Sequence, residues 1–213
     1  MPEDHPPRQS EIYTALWSKS MLKIVLEVVL ISAGVFLGLM GEQWRETREH
    51  RALAEQSLRR FRTEILSNQK AVLEVKDYHR SVRKTLNAYA RDPKTLTKAV
   101  VEMKGLNPAL FEQSAWELAL VTQSLVDIDQ DLAFALSRIY NIQREYAELT
   151  HQIMLATFIR TPAKDLEGFF GSVAMYFGDL EETEPLLLGL YDKALPQIDR
   201  ALGEATADQP AAK

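Results

Sequence analysis

The stretch that decides the fold is residues 21–44, MLKIVLEVVLISAGVFLGLMGEQW. From Ile24 to Gly41 it holds eighteen residues with a single charged side chain, Glu27. A helix of that length rises about 27 Å, which is close to the hydrocarbon thickness of a bilayer, roughly 30 Å. The sequence therefore predicts a transmembrane helix over residues 21–43.

Aromatic and basic side chains bracket this apolar run. Trp17 and Trp44 stand on either side of it, and Lys23 lies at its amino-terminal edge. Tryptophan favours the membrane boundary because its ring is apolar while its N–H group bonds to water. Glu27 comes one helical turn after Lys23, so it lies near the interface, where pairing with that lysine reduces the cost of the charge. The alternative is a buried acidic group that bonds to a partner helix.

A signal peptide and a soluble core helix both fit the apolar run less well than a membrane span does. A cleavable signal peptide has an apolar region of about 7–15 residues and ends at a small-x-small site. This run is longer, and residues 38–41 are a poor cleavage site. A soluble core helix would need a polar face, and residues 28–40 offer only Ser32. The segment is therefore interpreted as an uncleaved anchor.

Glycines recur within the anchor at a spacing that suits helix association. Gly34 and Gly38 form a GxxxG pair, and Gly41 follows about one turn later. This spacing allows two helix backbones to approach closely. The sequence therefore predicts self-association in the membrane through this face. The alternative is that the glycines only accompany an apolar composition.

Charge and composition limit the classes of function. The chain of 213 residues has a formal net charge of −5, which argues against a nucleic-acid partner. It contains no cysteine, which removes disulfides, thiolate metal sites and a cysteine nucleophile. Residues 42–91 carry twelve Lys and Arg against seven Asp and Glu, whereas residues 92–213 carry ten against nineteen. The two segments are expected to dock on each other, unless each is separately solvated.

A second pattern follows the anchor with no proline between them. Apolar residues alternate at intervals of three and four, the 3.5-residue period of a coiled-coil seam. This helix seam predicts the first helix of an intramolecular bundle, although an intermolecular coiled coil has the same period. Two polar residues interrupt it, and such residues often fix register or partner. The histidine is interpreted as a hydrogen-bonded core residue. The ten positions are Leu58, Phe61, Ile65, Asn68, Val72, Val75, His79, Val82, Leu86 and Tyr89.

Proline and glycine punctuate the remaining chain. Asp92-Pro93 predicts the start of a helix that closes at Gly105, and Asn107-Pro108 predicts another that runs to about Val121. A turn at Gln123-Ser124 follows. The next, longer helix can be capped by Asp127 or Asp129.

Two further helices are expected near the carboxyl end. One runs from Thr161-Pro162 to Gly178, and the last has a kink at Pro196. Acidic residues that suit the positive end of a helix dipole precede the last helix, namely Asp179, Glu181, Glu182 and Glu184. The predicted fold is all-α, with one N-terminal transmembrane helix continuing into the long helix of an extramembrane helical bundle. The predicted organisation is a tail at 1–20, the span at 21–43, the bundle at 44–202 and a disordered tail at 203–213.

The span and the residues after it resemble an uncharacterised bacterial family of single-span membrane proteins. Members of that family have a span with a glutamate, aliphatic residues and a glycine, followed by a Trp-Asn-Glu-x-Arg motif and a long charged helix. The matching positions are Glu27, Gly34, Trp44, Glu46 and Arg48, with Arg45 in place of the asparagine. A looser likeness, without the family's glycine after the serine, covers Trp116, Leu118, Ser124 and Tyr140.

The resemblance implies a bacterial inner-membrane protein with its amino terminus inside and its helical domain in the periplasm. The positive-inside rule gives no support to this orientation, because Arg8, Lys19 and Lys23 face five arginines on the other side of the span. Long domains are nevertheless exported regardless of charge. The resemblance implies no activity.

No catalytic motif occurs in the sequence. There is no P-loop, GxSxG or HExxH pattern, and the four histidines are widely separated. No catalytic residue, metal ligand or cofactor is therefore expected. The first hypothesis is a membrane-anchored helical interaction, sensing or scaffold module with an unknown protein partner. The alternative is a lipid-surface protein that acts through its basic juxtamembrane helix and the aromatic run at 168–177.

Overall fold

The computed structural model describes residues 9–92, 103–159 and 166–203. Four α-helices make up most of these ranges, and no strand occurs within them. The predicted all-α class is therefore confirmed, together with a long apolar helix near the amino terminus that continues into further helices. The helices are α1 (Gln9–Arg91), α2 (Ser114–Val121), α3 (Gln130–Ile159) and α4 (Leu166–Ala201), with a 3-10 turn at Ser124–Asp127.

The chain divides into two compact units, Met1–His50 and Arg51–Lys213. The first unit contains the apolar stretch of α1, and that helix is long and apolar enough to cross a membrane. Residues 9–20 belong to α1, so they are helical where the sequence predicted a tail. The second unit contains the rest of α1 and the three shorter helices.

The second unit has a core of aromatic and aliphatic side chains from every one of its helices. The rings of Trp116 and Tyr140 stack with centroids 5.2 Å apart, and the ring of Phe61 lies 5.9 Å from that of Tyr140. Aromatic pairs contribute about 0.5–1.5 kcal/mol each beyond their buried area. The other largest fully buried side chains are Tyr176, Tyr191, Phe177, Ile65, Leu86, Leu136, Ile139, Leu180, Leu187 and Ile198.

The basic part of α1 packs along the acidic helix α4 in antiparallel order. Arg62 Nε lies 2.7 Å from Asp199 Oδ1, and Arg83 Nη1 lies 2.5 Å from Glu181 Oε2. Each pair is partly exposed to solvent, so it contributes at most about 1 kcal/mol and mainly selects the register. The charge distribution of the sequence predicted that the basic and acidic segments dock on each other, and these ion pairs join α1 to α4 in that way.

The connection from α2 to α3 contains the predicted turn. Gln123 has a φ of +55°, a left-handed conformation, and the 3-10 turn follows it. Asp129 Oδ1 then accepts a hydrogen bond from Leu132 N at 3.1 Å, which satisfies an unpaired N–H in the first turn of α3. Asp129 is therefore one of the two predicted caps, and Asp127 lies in the 3-10 turn.

The predicted helix start at Asn107-Pro108 is wrong. Residues 103–113 form an irregular segment, which we call the strap, and α2 begins only at Ser114. Gly105 has a φ of +86° and Asn107 a φ of +43°, and two left-handed residues so close together interrupt a helix. The backbone of the strap bonds to side chains of α1 and α3 instead of to itself.

The predicted break between two carboxyl-terminal helices is also wrong, because α4 runs without interruption through Gly178 and the acidic residues that follow it, and it also continues through Pro185 and Pro196. An interior proline removes a helical hydrogen bond at a cost of about 3 kcal/mol. Leu180 and Leu187, on either side of Pro185, are both fully buried, so packing holds the two halves in line. Gly178 marks a close approach to α1 and not a helix end, since a Cβ built there would lie 3.5 Å from the Cζ atom of Arg83.

Some sequence predictions fall on residues that the structure does not describe. They are most of the helix expected between Pro93 and Gly105, the helix start at Thr161-Pro162, and the tail after Gly203.

Candidate functional site

The apolar stretch of α1 presents its side chains to the outside. Every residue from Lys23 to His50 is exposed, including large aliphatic side chains such as Leu30 and Leu37. A contiguous apolar surface of this extent marks contact with a membrane or a partner. Among the described residues, nothing lies within 4 Å of a Cβ atom built at the three glycines of the span, Gly34, Gly38 and Gly41.

Glu27 lies on the same side of the helix as those glycines. At about 100° per residue, Glu27, Gly34, Gly38 and Gly41 fall within a sector roughly 60° wide. The intramembrane carboxyl group predicted from the sequence therefore shares a face with the positions that allow the closest helix approach. A second copy that packed on the glycines would also meet the carboxyl group.

The residues expected at the membrane boundary are only partly described. Arg48 Cζ lies 3.7 Å from the centroid of the Trp44 ring, a cation–π contact that covers one face of the ring. The side chain of Lys23 is exposed. The backbone of Trp17 belongs to α1, but its side chain lies outside the described part of the structure.

The helix seam of α1 contacts other helices of the same chain. Tyr89 is half-buried, and its ring centroid lies 5.3 Å from that of Phe170 on α4. The seam is therefore covered within the second unit. Its nine buried members are Leu58, Phe61, Ile65, Asn68, Val72, Val75, His79, Val82 and Leu86.

Asn68, the first polar residue of the seam, binds the strap by its backbone. Asn68 Nδ2 donates to the carbonyl oxygen of Glu112 at 2.9 Å, and Asn68 Oδ1 accepts from the N–H of Glu112 at 2.8 Å. One side-chain amide thus satisfies both backbone groups of a residue that belongs to no helix. Asn68 therefore holds the carboxyl-terminal end of the strap against α1.

Glu64 binds the chain just after the strap. Its side chain is buried, with Oε2 accepting from Ala115 N at 2.8 Å and Oε1 accepting from the Tyr140 hydroxyl at 2.7 Å. Ala115 lies in the first turn of α2, where backbone N–H groups lack helical partners and the helix dipole is positive. A carboxylate from α1 therefore caps α2.

His79, the second polar residue of the seam, pairs with Glu184 of α4. His79 Nδ1 lies 2.5 Å from Glu184 Oε1, and His79 Nε2 faces the carbonyl oxygens of Leu106 at 3.2 Å and Asn107 at 2.9 Å. Carbonyl oxygens only accept, so Nε2 carries a proton. The contact between Nδ1 and Oε1 also requires a proton, because an unprotonated ring nitrogen and a carboxylate oxygen both only accept. This buried pair holds the middle of the strap.

Two tyrosines complete the attachment of the strap. The Tyr146 hydroxyl accepts from Ala109 N at 3.1 Å and donates to Glu184 Oε1 at 3.3 Å. The Tyr78 hydroxyl donates to the carbonyl oxygen of Gly105 at 2.6 Å and accepts from Lys104 N at 2.9 Å. Burial raises the pKa of both phenols, so both stay protonated and able to donate.

The cluster of His79, Glu184 and Tyr146 contains groups of the kinds used in acid–base chemistry, and all three side chains are buried. Their exposures are 0%, 2% and 2%. Of the three, Tyr146 alone lines one of the grooves of the described surface discussed below, the groove between α3 and α4. Their bonding capacity is taken up by the strap and by each other, so the arrangement fits a structural role.

The three grooves differ in chemistry. The first, about 560 Å³, is lined by Arg59, Arg60, Glu64 and Glu112 among others. The second, about 450 Å³, is basic, with Arg80, Arg83, Lys84 and Arg91 against a single carboxylate, Glu181. The third, about 310 Å³, is a mainly apolar groove between α3 and α4. No group of three or more metal-ligating side chains comes together within the described ranges.

The sequence singled out Asn68 and His79, and the structure confirms His79 as a hydrogen-bonded core residue. The sequence did not reveal the other residues that bind the strap. Glu184 was expected only before a helix start, whereas the structure buries it in the middle of α4 beside His79. Glu64 does not stand out in the sequence, and Tyr146 stands out only as a member of the apolar stripe of α3. One signal in the sequence could have indicated the pair. A histidine on an otherwise apolar seam needs a buried hydrogen-bond acceptor, and Glu184 is a carboxylate among regularly spaced apolar residues.

Comparison with known protein families gives no match to this chain, and neither characterised proteins nor solved structures give a significant one. The likeness to the single-span bacterial family therefore remains an expectation from sequence. The class that the described residues define is an all-α protein in which one of the helices is a candidate membrane span and the others form a helical bundle.

Proposed function

We propose that this protein is a single-pass membrane protein whose amino-terminal helix anchors a non-catalytic helical bundle, which binds another protein as an interaction, sensing or scaffold module. The observation that carries this proposal is a contrast between the two units. The second unit buries its own apolar core, whereas residues 23–50 of the first expose every described side chain. Exposed apolar surface costs roughly 25 cal/mol per Å² in water, and a bilayer removes that cost.

The experiment that tests the anchor is extraction of native membranes with alkaline carbonate, which releases peripheral proteins. The full chain is expected to stay in the pellet. A variant that lacks residues 21–43 is expected to be soluble and to keep its helical circular-dichroism spectrum, because the core of the second unit does not use these residues. Release of the full chain into the carbonate supernatant contradicts the anchor.

The location follows from the resemblance and needs its own test. We place the protein in a bacterial inner membrane with the bundle in the periplasm. A carboxyl-terminal alkaline phosphatase fusion, which is active only after export, is expected to be active, and a matched fusion to a reporter that works only in the cytoplasm is expected to be silent. The reverse pattern puts the bundle inside the cell.

The partner is the least defined part of the proposal. Crosslinking at native expression, followed by purification of the full chain, is expected to recover a second protein species. Recovery of this chain alone contradicts the interaction module and leaves only self-association.

We further propose that two copies associate through the face that contains Glu27, Gly34 and Gly38. The double variant Gly34→Leu with Gly38→Leu is expected to weaken association in a membrane two-hybrid assay, because the larger side chains keep the backbones apart. The matched control changes Phe36 and Met40 to Leu, since these residues have the same spacing and lie on the opposite face. Equal signals from both double variants contradict this interface.

The lipid-surface alternative gains less support from the contacts of the basic segment. Arg45 pairs with Glu42 at 2.6 Å, and Arg59 pairs with Glu55 at 2.9 Å. Arg62 turns to Asp199 of α4. Cations that already have carboxylate partners attract anionic lipid less strongly. Salt-sensitive binding of residues 45–213 to phosphatidylglycerol vesicles would nevertheless support the alternative over the interaction module.

A further inference from the structure

A basic groove runs along the last turns of α1 within the second unit. Arg80, Arg83, Lys84 and Arg91 line it, and Glu181 of α4 is the single carboxylate among its lining residues. We call this feature the basic groove. Its volume of about 450 Å³ lies within the range of ligand sites, roughly 300–1,000 Å³. Positive charge is therefore concentrated locally in a chain whose formal net charge is −5.

Arg83 is the fixed part of the basic groove. Its Nη1 atom donates to Glu181 Oε2 at 2.5 Å and to the carbonyl oxygen of Gly178 at 3.4 Å. A Cβ built at Gly178 would lie 3.5 Å from Arg83 Cζ, so the guanidinium group packs closely on the backbone of α4. Within the described ranges, Nε and Nη2 of Arg83 have no hydrogen-bond partner. A guanidinium group that is already positioned and still has N–H donors is preorganised to bind a carboxylate.

The other three cations form a row along one face of α1. At about 100° per residue, Arg80, Lys84 and Arg91 fall within a sector roughly 40° wide. The helix rises about 6 Å from Arg80 to Lys84 and about 16 Å from Arg80 to Arg91. Lys84 and Arg91 are exposed, and neither forms an ion pair with another described residue. Arg80 contacts Asp77 at 3.5 Å in a solvent-exposed pair, which contributes little.

We infer that the basic groove docks an acidic, extended segment of the partner protein. This inference rests on the proposed interaction module and names the chemistry of its partner. Alternate side chains of an extended chain lie on the same side about 6.6 Å apart, close to the spacing of Arg80 and Lys84, and about five such residues cover the 16 Å row. A compact phosphate group would contact only part of the row. Carboxylates spread along a peptide match the whole of it, and each can accept two parallel bonds from an arginine.

The exposure of these cations determines how the binding depends on salt. Lys84 and Arg91 are open to solvent, where charges more than about 8 Å apart are largely screened at physiological ionic strength. Binding of an acidic segment is therefore expected to weaken steadily as salt is raised. The salt dependence is expected mainly in the association rate, since complementary surface charges steer the encounter.

The test is a titration of fluorescein-labelled hexaglutamate with the full chain in neutral detergent micelles, followed by fluorescence anisotropy. The groove variant is Lys84→Glu with Arg91→Glu, which reverses two exposed cations that have no ion pair in the described ranges. The matched control is Arg144→Glu with Lys193→Glu. These two residues are also exposed, carry the same charges and do not line the groove.

The groove variant is expected to raise the Kd of hexaglutamate by at least about tenfold, and the control by less than about twofold. Equal weakening in both variants shows that binding follows net charge and overturns the inference. No binding to the wild-type chain at low salt also overturns it. If inorganic tripolyphosphate binds more tightly than hexaglutamate and the groove variant abolishes its binding, the groove takes a compact phosphate ligand and the acidic-segment assignment is overturned.

Crosslinking at native expression separates failure of this inference from failure of the proposed function. A second protein that is recovered with the control variant and lost with the groove variant supports the inference. A second protein recovered equally with both variants overturns the groove as its docking site and leaves the interaction module intact. If the wild-type chain recovers no second protein, the interaction module is contradicted and the docking inference fails with it.

Discussion

Removal of the Glu184 carboxylate tests whether the buried pair holds the bundle together. In the variant Glu184→Ala, His79 and the Tyr146 hydroxyl both lose their shared acceptor, Oε1, in a site where neither is more than 2% exposed. Water cannot replace the lost partner without opening the core. The strap is expected to loosen as well, because His79 and Tyr146 bind Asn107 and Ala109.

The size of the effect follows from the burial of the pair. Breaking a buried charged pair by removing one partner costs about 3–5 kcal/mol. That is a large share of a typical free energy of unfolding, about 5–15 kcal/mol. For a unit of this size, about 4 kcal/mol lowers the melting temperature by roughly 8–16 °C. Glu184→Gln keeps an acceptor oxygen and is expected to lose less, about 1–3 kcal/mol.

The assay is urea unfolding of the full chain in detergent micelles, followed by the fluorescence of Trp116. This residue is 8% exposed and stacks on Tyr140, so its emission reports on the core of the second unit. Trp17 and Trp44 are changed to Phe in all variants to remove their signals. The control is Asp77→Ala, which removes an exposed ion pair with Arg80 at 3.5 Å and is expected to cost less than about 0.5 kcal/mol. If the free energy of unfolding of Glu184→Ala lies within about 1 kcal/mol of that of the control, the reasoning is refuted. Two buried donors left without their acceptor are expected to cost more than that.

Three further outcomes follow from the core and the strap. Phe61→Ala, at a fully buried position, is expected to lower the free energy of unfolding by about 3–5 kcal/mol in the same assay. Asn68→Ala removes both hydrogen bonds to the backbone of Glu112. Hydrogen exchange of the Glu112 amide is therefore expected to accelerate more than exchange of amides in the middle of α3. Equal acceleration at both places contradicts a local role for Asn68. Burial, followed by the bond to Glu64, raises the pKa of Tyr140, so the folded chain favours the neutral phenol. Stability is then fully present below about pH 10, the ordinary pKa of an unfolded tyrosine, and is lost as pH rises above it. Tyr140→Phe is expected to flatten this alkaline loss in urea midpoints measured between pH 8 and 11.

The sequence predicted the helices whose apolar residues repeat regularly. It missed the places where a side chain of one helix forms a hydrogen bond with the backbone of another segment. The helix seam from Leu58 to Tyr89 was predictable because its spacing records one buried face along a single helix. The start of α2 was not, because Asn107-Pro108 has the composition of a helix start, while Asn68 and Glu64 decide that the helix begins at Ser114. Those bonds join residues more than forty positions apart in the chain.

The continuity of the last helix was missed for a related reason. Gly178 and the acidic residues after it have the composition of a helix end followed by a new helix start, and local composition takes no account of the core that both halves of α4 share. Leu180 and Leu187 are buried on either side of Pro185, and the free energy of that burial outweighs the backbone bond that the proline removes.

The sequence by itself determined the all-α class, the apolar helix near the amino terminus and the packed face of α1, because each depends on a regular repeat of apolar residues along one element. Only the tertiary structure decided that His79 pairs with Glu184, that the strap is bound by side chains and that Ser124 bonds to Ser57. These are contacts between distant parts of the chain, and their geometry exists only after the helices have packed.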